Sequence, residues 1–290
     1  MPRNKVAIVG AAESERIGRV PDMGQVQLHC NAALRAIEDA GLTVADIDGI
    51  ATAEELPWTV ATALGIKPTW VDATDVGGCA YMLHLRHAVA AIEAGHATTI
   101  LITHGESGRS RVGTTGLDMM YTDNHRQFEL PYGATMPPTM FTLPVRRFMY
   151  ETGLTSEHLA WAHVRQREWA ALNPRAMLRD PVTVDEVLSS TMIADPITKL
   201  MCCLVTDAGG AVVVTSAERA RDLRQKPVYY MGGGETVLMN NISQMPDFTR
   251  AEVFEIASKK AFSEADITVS DIDHLMIYDA FAHLPIYGLE

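Results

Sequence analysis

The chain has 290 residues, 47% of them apolar, enough for a sizeable buried core and one or two domains. A formal charge of -12 excludes a nucleic-acid surface, because phosphate binding needs clustered Lys and Arg. No apolar stretch is long and clean enough to cross a membrane, and the run from Val6 is too short for a signal peptide, so a cytoplasmic protein is expected.

In chain order, residues 5–10 read as a short strand, and residues 23–40 as a helix ended by Gly41. The string Thr43-Val44-Ala45-Asp46-Ile47-Asp48 then leads to a second strand. The Gly77-Gly78-Cys79 turn opens a helix over 80–94 that is apolar nearly all round and therefore expected to be buried, and residues 98–103 form a strand. Residues 108–200 are rich in Met, Pro, Arg and aromatics. They suggest helices at 143–151, 156–171 and 184–189, the second starting at Thr155 and stopped by Asn173-Pro174. A segment of this size inside an α/β unit reads as a lid or substrate cover. Residues 210–215 close the unit as a strand.

A second pass through the same pattern follows. A strand at 228–231 is followed by Gly232-Gly233-Gly234-Glu235, then a helix at about 250–265 and the string Thr268-Val269-Ser270-Asp271-Ile272-Asp273. Ala36, Ala40, Thr43, Val44, Asp46, Ile47 and Asp48 match Ala261, Ala265, Thr268, Val269, Asp271, Ile272 and Asp273 at a constant offset of 225. Gly10 and Glu13 match Gly232 and Glu235 at an offset of 222. The expected architecture is α/β, duplicated, with a first unit over 1–225 that carries the inserted segment 108–200 and a second unit begun over 226–290. A strand at 275–278 is expected, and the chain reaches Glu290 before the second helix-and-strand pair, so the second copy reads as incomplete and the sequence as a truncated piece.

Chemistry concentrates at the first helix turn. Cys79 there meets unpaired backbone N–H groups and the positive end of the helix dipole, the setting of an acyl-accepting thiolate, while Gly77 and Gly78 let a ligand approach the backbone. The four cysteines, Cys30, Cys79, Cys202 and Cys203, make no C-x-x-C pair, so reduced thiols are expected rather than a zinc site. His84 and His87 are three apart and His104 ends the next strand. With no third ligand placed by sequence, packed core histidines and no metal are expected. Gly105-Glu106-Ser107-Gly108 lacks the spacing of a hydrolase turn, and no G-x-G-x-x-G occurs at Gly10 or Gly232. Arg146, Arg147, Arg165 and Arg167 are candidates for phosphate contacts, with solvated helix faces as the alternative.

The duplication, Gly77-Gly78-Cys79-Ala80, Ala91-Ile92-Glu93-Ala94-Gly95, Gly105-Glu106-Ser107, Asn173-Pro174-Arg175-Ala176, Asp207-Ala208-Gly209-Gly210-Ala211 and Tyr278-Asp279-Ala280-Phe281-Ala282 together resemble the thiolase superfamily. The likeness covers essentially the whole chain and is greatest to the bacterial lipid-transfer and sterol-carrier-like branch. It implies a thiolase-like duplicated αβαβα layered fold and an acyltransferase that makes or breaks carbon–carbon bonds in acyl-CoA thioesters, with coenzyme A as substrate or product and no other cofactor. It further implies Cys79, Tyr278 and Asp279 as catalytic residues, Gly77, Gly78, His104 and Arg147 as substrate contacts, and a homodimer.

Two departures open alternatives. Counting back from Ala94-Gly95, the family's nucleophile position falls on Gly78, one residue before Cys79, and one residue at a helix start turns a side chain by ~100°. Tyr278 stands where thiolases carry the Asn of Asn-Glu-Ala-Phe. Retro-aldolases of this branch resemble it in a Tyr-Asp-x-Phe stretch and work with a small zinc-ribbon and OB-fold partner. That makes a lyase on β-hydroxyacyl-CoA the first alternative and a non-catalytic acyl-CoA-binding subunit the second.

Overall fold

The computed structural model describes residues 4–114, 122–135 and 137–290, so residues 115–121 and 136 of the expected lid segment lie outside the described residues. The elements in chain order are β1 (Val6–Glu13), α1 (Gln25–Asp39), β2 (Gly49–Thr52), α2 (Pro57–Leu64), β3 (Trp70–Asp72), α3 (Ala80–Glu93) and β4 (Thr99–Ser107). Then follow α4 (Asp123–Phe128), α5 (Pro137–Met140), α6 (Thr142–Thr152), α7 (Ser156–Leu172), α8 (Val184–Ser189), β5 (Met192–Ala194) and β6 (Ile197–Thr198). The chain continues through β7 (Asp207–Ser216), α9 (Ala217–Ala220), β8 (Val228–Tyr229), α10 (Glu252–Ala265) and α11 (Leu284–Leu289). Among the described residues, no helix is long and apolar enough to cross a membrane.

The chain divides into two compact units. The first holds residues up to Thr114, Val205–Gly233 and Lys260–Ile267. The second holds the inserted segment up to Leu204, Gly234–Lys259 and Thr268–Glu290.

In the first unit a six-stranded sheet runs in the order β3-β2-β4-β7-β1-β8. β3, β2 and β4 are parallel, whereas β7 is antiparallel to both β4 and β1, so the sheet is mixed rather than fully parallel. Side chains alternate across it, as period 2 requires. Ala7, Val9, Ile50, Leu101 and Val213 face α1 and α2, while Val6, Ala51, Ile100, Ile102 and Val214 face Ala88, Val89 and Ala91 of α3. A helix–sheet–helix core results, closed to solvent at its centre. α3, which its apolar sequence predicts to be buried all round, is buried on one side only. Met82 on its outer side is 70% exposed, because a single sheet covers only one face of a helix.

The duplication is visible in three dimensions. A Cβ added at Gly10 would lie 2.3 Å from the Ala36 carbonyl oxygen and 2.8 Å from Ala40. One added at Gly232 would lie 2.9 Å from the Ala261 carbonyl oxygen and 2.6 Å from the Ala265 nitrogen. Each glycine therefore lets the chain touch the equivalent turn of its helix, Gly10 from within β1 and Gly232 from just beyond β8. The strings that follow form the same structure. Thr43 N and Oγ1 donate to Asp46 Oδ2 at 2.9 and 2.7 Å, and Thr268 N and Oγ1 donate to Asp271 Oδ2 at 2.8 Å each, both capping one turn of 3₁₀ helix.

The second unit packs α6, α7, α8 and β6 around Val145, Leu159, Val187, Ile197 and Met201, with Ala280, Phe281 and Ala282 in the same core. Its sequence signals hold locally. The Thr155 hydroxyl accepts the His158 N–H at the start of α7, and the helix stops at Leu172, before Asn173-Pro174. The expected strand at 275–278 is absent. Cys203 N donates to the Ala280 carbonyl and Ala282 N to the Met201 carbonyl, at 2.8 and 2.9 Å, so the chain is anchored just beyond it. Residues 275–278 run without a ladder, with Leu275 and Met276 exposed, because among the described residues no strand lies beside them.

Candidate active site

In a parallel α/β layer, functional side chains collect outside the carboxyl ends of the strands. Here those ends belong to β3, β2 and β4, and three stretches leave them: 73–79 towards α3, 53–56 towards α2, and the end of β4 itself. Gly77 adopts φ +80°, its N–H donates to Asp75 Oδ1 at 2.9 Å, and open space faces its Cα. Gly78 is exposed. Cys79 is the residue before the first turn of α3; its thiol is free and exposed, with Sγ 3.8 Å from the Val76 carbonyl.

His104 is half-buried, and its Nδ1 is hydrogen-bonded to the hydroxyl of Tyr81, two residues beyond Cys79 on α3. Its Nε2 lies 3.9 Å from Glu106 Oε2. Glu54, from the loop after β2, completes a group in which one ligand-type atom of each of Glu54, His104 and Glu106 lies within 4.8 Å of the others. Partial loss of hydration, then repulsion from Glu106 and Asp75, holds the Glu54 carboxyl above its ordinary range. Gly105 leaves room for α1, and the ring of His29 fills part of that space, 5.8 Å from the His104 ring. His29 is fully buried with no partner on either ring nitrogen, and burial, helped by His104, pushes it down to about 3.

The other histidines expected in the core have partners of their own. His84 Nε2 donates to the Thr74 carbonyl at 2.8 Å, and His87 Nδ1 sits 2.6 Å from Asp72 Oδ2. Behind the end of β4, buried Asp207 fixes the following loop. It accepts Arg109 N and Ser110 N through Oδ1, and Val20 N and the Ser110 hydroxyl through Oδ2. Burial opposes its ionisation, but these hydrogen bonds outweigh it and hold the carboxyl below the usual range.

The second unit carries the remaining residues singled out by sequence. Tyr278 is 58% exposed. Asp279 is exposed beside it, and partial loss of hydration raises its carboxyl above the ordinary range. Arg147 is ion-paired with Glu151 on α6 and sits 5.6 Å over the Tyr150 ring. Arg146 pairs with Asp195, and Arg165 with Glu168, so these arginines lie on solvated, charge-compensated faces.

Among the sequence candidates, Gly77, Gly78, Cys79 and His104 thus share one unit, and Arg147, Tyr278 and Asp279 the other. Sequence reasoning missed Tyr81, Glu54, Glu106 and His29. Only the His104-x-Glu106 alternation, which puts both on the α3 side of β4, offered a signal.

The family described as Thiolase C-terminal domain-like matches residues 234–290. The acetyl-CoA acetyltransferase of Methanothermobacter thermautotrophicus is 30% identical over 98% of this chain and 76% of its own. The solved Ltp2-ChsH2(DUF35) aldolase superposes with a TM-score of 0.90 at 29% identity, over 99% of this chain and 76% of that one. The monomeric SCP2-thiolase like protein type 1 of Mycobacterium smegmatis shares the fold, with a TM-score of 0.80 at 23% identity over 100% of this chain and 63% of that one. The chain therefore belongs to the thiolase superfamily.

Proposed function

We propose that the protein cleaves a carbon–carbon bond in a β-hydroxyacyl-CoA thioester by a retro-aldol reaction. The observation that carries this reading is Gly78, which leaves the family's nucleophile position without a side chain. An aldolase among the structures this chain matches supports it. Tyr278 is the acid–base group, with Asp279 beside it in sequence. A base takes the proton of the β-hydroxyl, the Cα–Cβ bond breaks, and Cβ becomes a carbonyl. The electron pair left on Cα is held as the thioester enolate and then protonated, giving a shortened acyl-CoA. Gly77, Gly78 and His104, which share the first unit, are the substrate contacts we propose. Coenzyme A enters and leaves as the thioester. The working form is a cytoplasmic homodimer with a small zinc-ribbon and OB-fold partner, by analogy with the DUF35 chain in the aldolase structure.

The second reading is acyl transfer through Cys79, favoured by a free, exposed thiol at the first turn of α3 and by the acetyltransferase relative.

The test is incubation of the protein with β-hydroxyacyl-CoA, alone and with a zinc-ribbon/OB-fold partner. The lyase yields a carbonyl product and a shortened thioester without consuming free coenzyme A, and Tyr278→Phe lowers the rate by ~10²-fold or more. A Cys79 acyl adduct by mass spectrometry, with activity lost in Cys79→Ser, replaces that reading with acyl transfer. Unchanged thioesters in every arm reduce the protein to a binding subunit.

A further inference from the structure

We propose that Glu54, His104 and Glu106 form a binding site for a divalent first-row transition ion at the carboxyl edge of β2 and β4. One ligand atom from each lies within 4.8 Å of the other two. Donors at ~2.1 Å from one ion sit at most ~4.2 Å apart. The 3.9 Å between His104 Nε2 and Glu106 Oε2 is already inside that limit, and closing the rest requires only a small swing of two carboxylates that are open to solvent.

The imidazole is set up as a ligand. Its Nδ1 is engaged by the Tyr81 hydroxyl, which fixes the ring and leaves Nε2 towards Glu106. Metal-binding histidines are held in this way through their other nitrogen. His104 and Glu106 stand two apart on one rigid strand, and Glu54 is presented from the end of the neighbouring parallel strand.

His29 is fully buried on the α1 side of β4, its ring 5.8 Å from that of His104, and backs the ligand histidine. One imidazole and two carboxylates suit Mn(II), Fe(II), Co(II) or Zn(II), and an ion so placed polarises an oxygen of a bound ligand.

The test is calorimetric titration of the chelator-treated full chain with Co(II), followed in parallel by visible absorption. The expected result is one saturable equivalent per chain. Glu54→Gln and Glu106→Gln each weaken it at least ~10-fold, and Tyr81→Phe ~10-fold through the ring it orients. Because both glutamates are exposed, the variants keep the metal-free thermal midpoint, and Glu157→Gln on α7 leaves binding unchanged. No saturable binding, or binding that Glu54→Gln and Glu106→Gln both retain, overturns the site. The readout does not involve turnover, so its failure leaves the retro-aldol reading untouched.

Discussion

The hydroxyl of Ser110 donates to Asp207 Oδ2 at 2.6 Å, inside a carboxylate that accepts four hydrogen bonds and is closed to solvent. The pair ties the loop after β4 to the first residue of β7, where β4 and β7 end together. Asp207→Asn puts an amide where three N–H groups and a hydroxyl converge on an anion, and is expected to cost ~2–3 kcal/mol at pH 7. The folded carboxyl titrates below its unfolded value. Its stabilisation is therefore present above an ordinary Asp pKa of ~3.9 and is lost as pH falls through the lower folded value. Urea unfolding at pH 7 and pH 3 checks this: the gap between wild type and variant shrinks at the lower pH.

Gly10, inside β1, and Gly232, just after β8, each hold the chain against a helix backbone. Gly10→Ala and Gly232→Ala are expected to destabilise by ~1–3 kcal/mol each, through forced separation of the packed elements. Gly210→Ala, with open space at its Cα, is the control and moves the urea midpoint little.

Thiol reactivity separates the cysteines. Cys79 and Cys203 are exposed, while Cys30 and Cys202 are half-buried. Burial raises the Cys30 thiol. Burial, reinforced by Cys203, pushes Cys202 up to about 11. Iodoacetamide labelling at pH 8, mapped by mass spectrometry, is expected to mark Cys79 and Cys203 well before Cys202.

His283 lies among Phe141, Phe281 and Tyr287, and burial pushes it down to about 4. A histidine kept neutral in the folded state contributes stability above its unfolded pKa of ~6.5, and this is lost as pH falls towards the folded value. Between pH 7 and pH 5 the expected loss from this residue is ~2 kcal/mol. His283→Phe removes that share of the pH dependence, which urea unfolding across the window measures.

Much of the first unit was legible in the residues. Gly41 at φ +72°, the Thr43 and Thr268 caps, and the Thr155 start of α7 are local devices, each satisfied by atoms within a few residues, so a linear reading finds them. The internal match at offsets of 225 and 222 was legible as repeated short strings, and the structure added that Gly10 and Gly232 are matched because each touches its own helix.

What the sequence by itself determined, then, is the repeated strand–helix–turn unit, its superfamily, and the gap at Gly78 where a nucleophile is expected. Only the tertiary structure decided the direction of β7, the loss of a strand at 275–278, and the gathering of Glu54, Tyr81, His104 and Glu106 with His29 behind them. Strand pairing and side-chain clustering depend on contacts between residues far apart in the chain, and no local propensity or spacing encodes which partner each will meet.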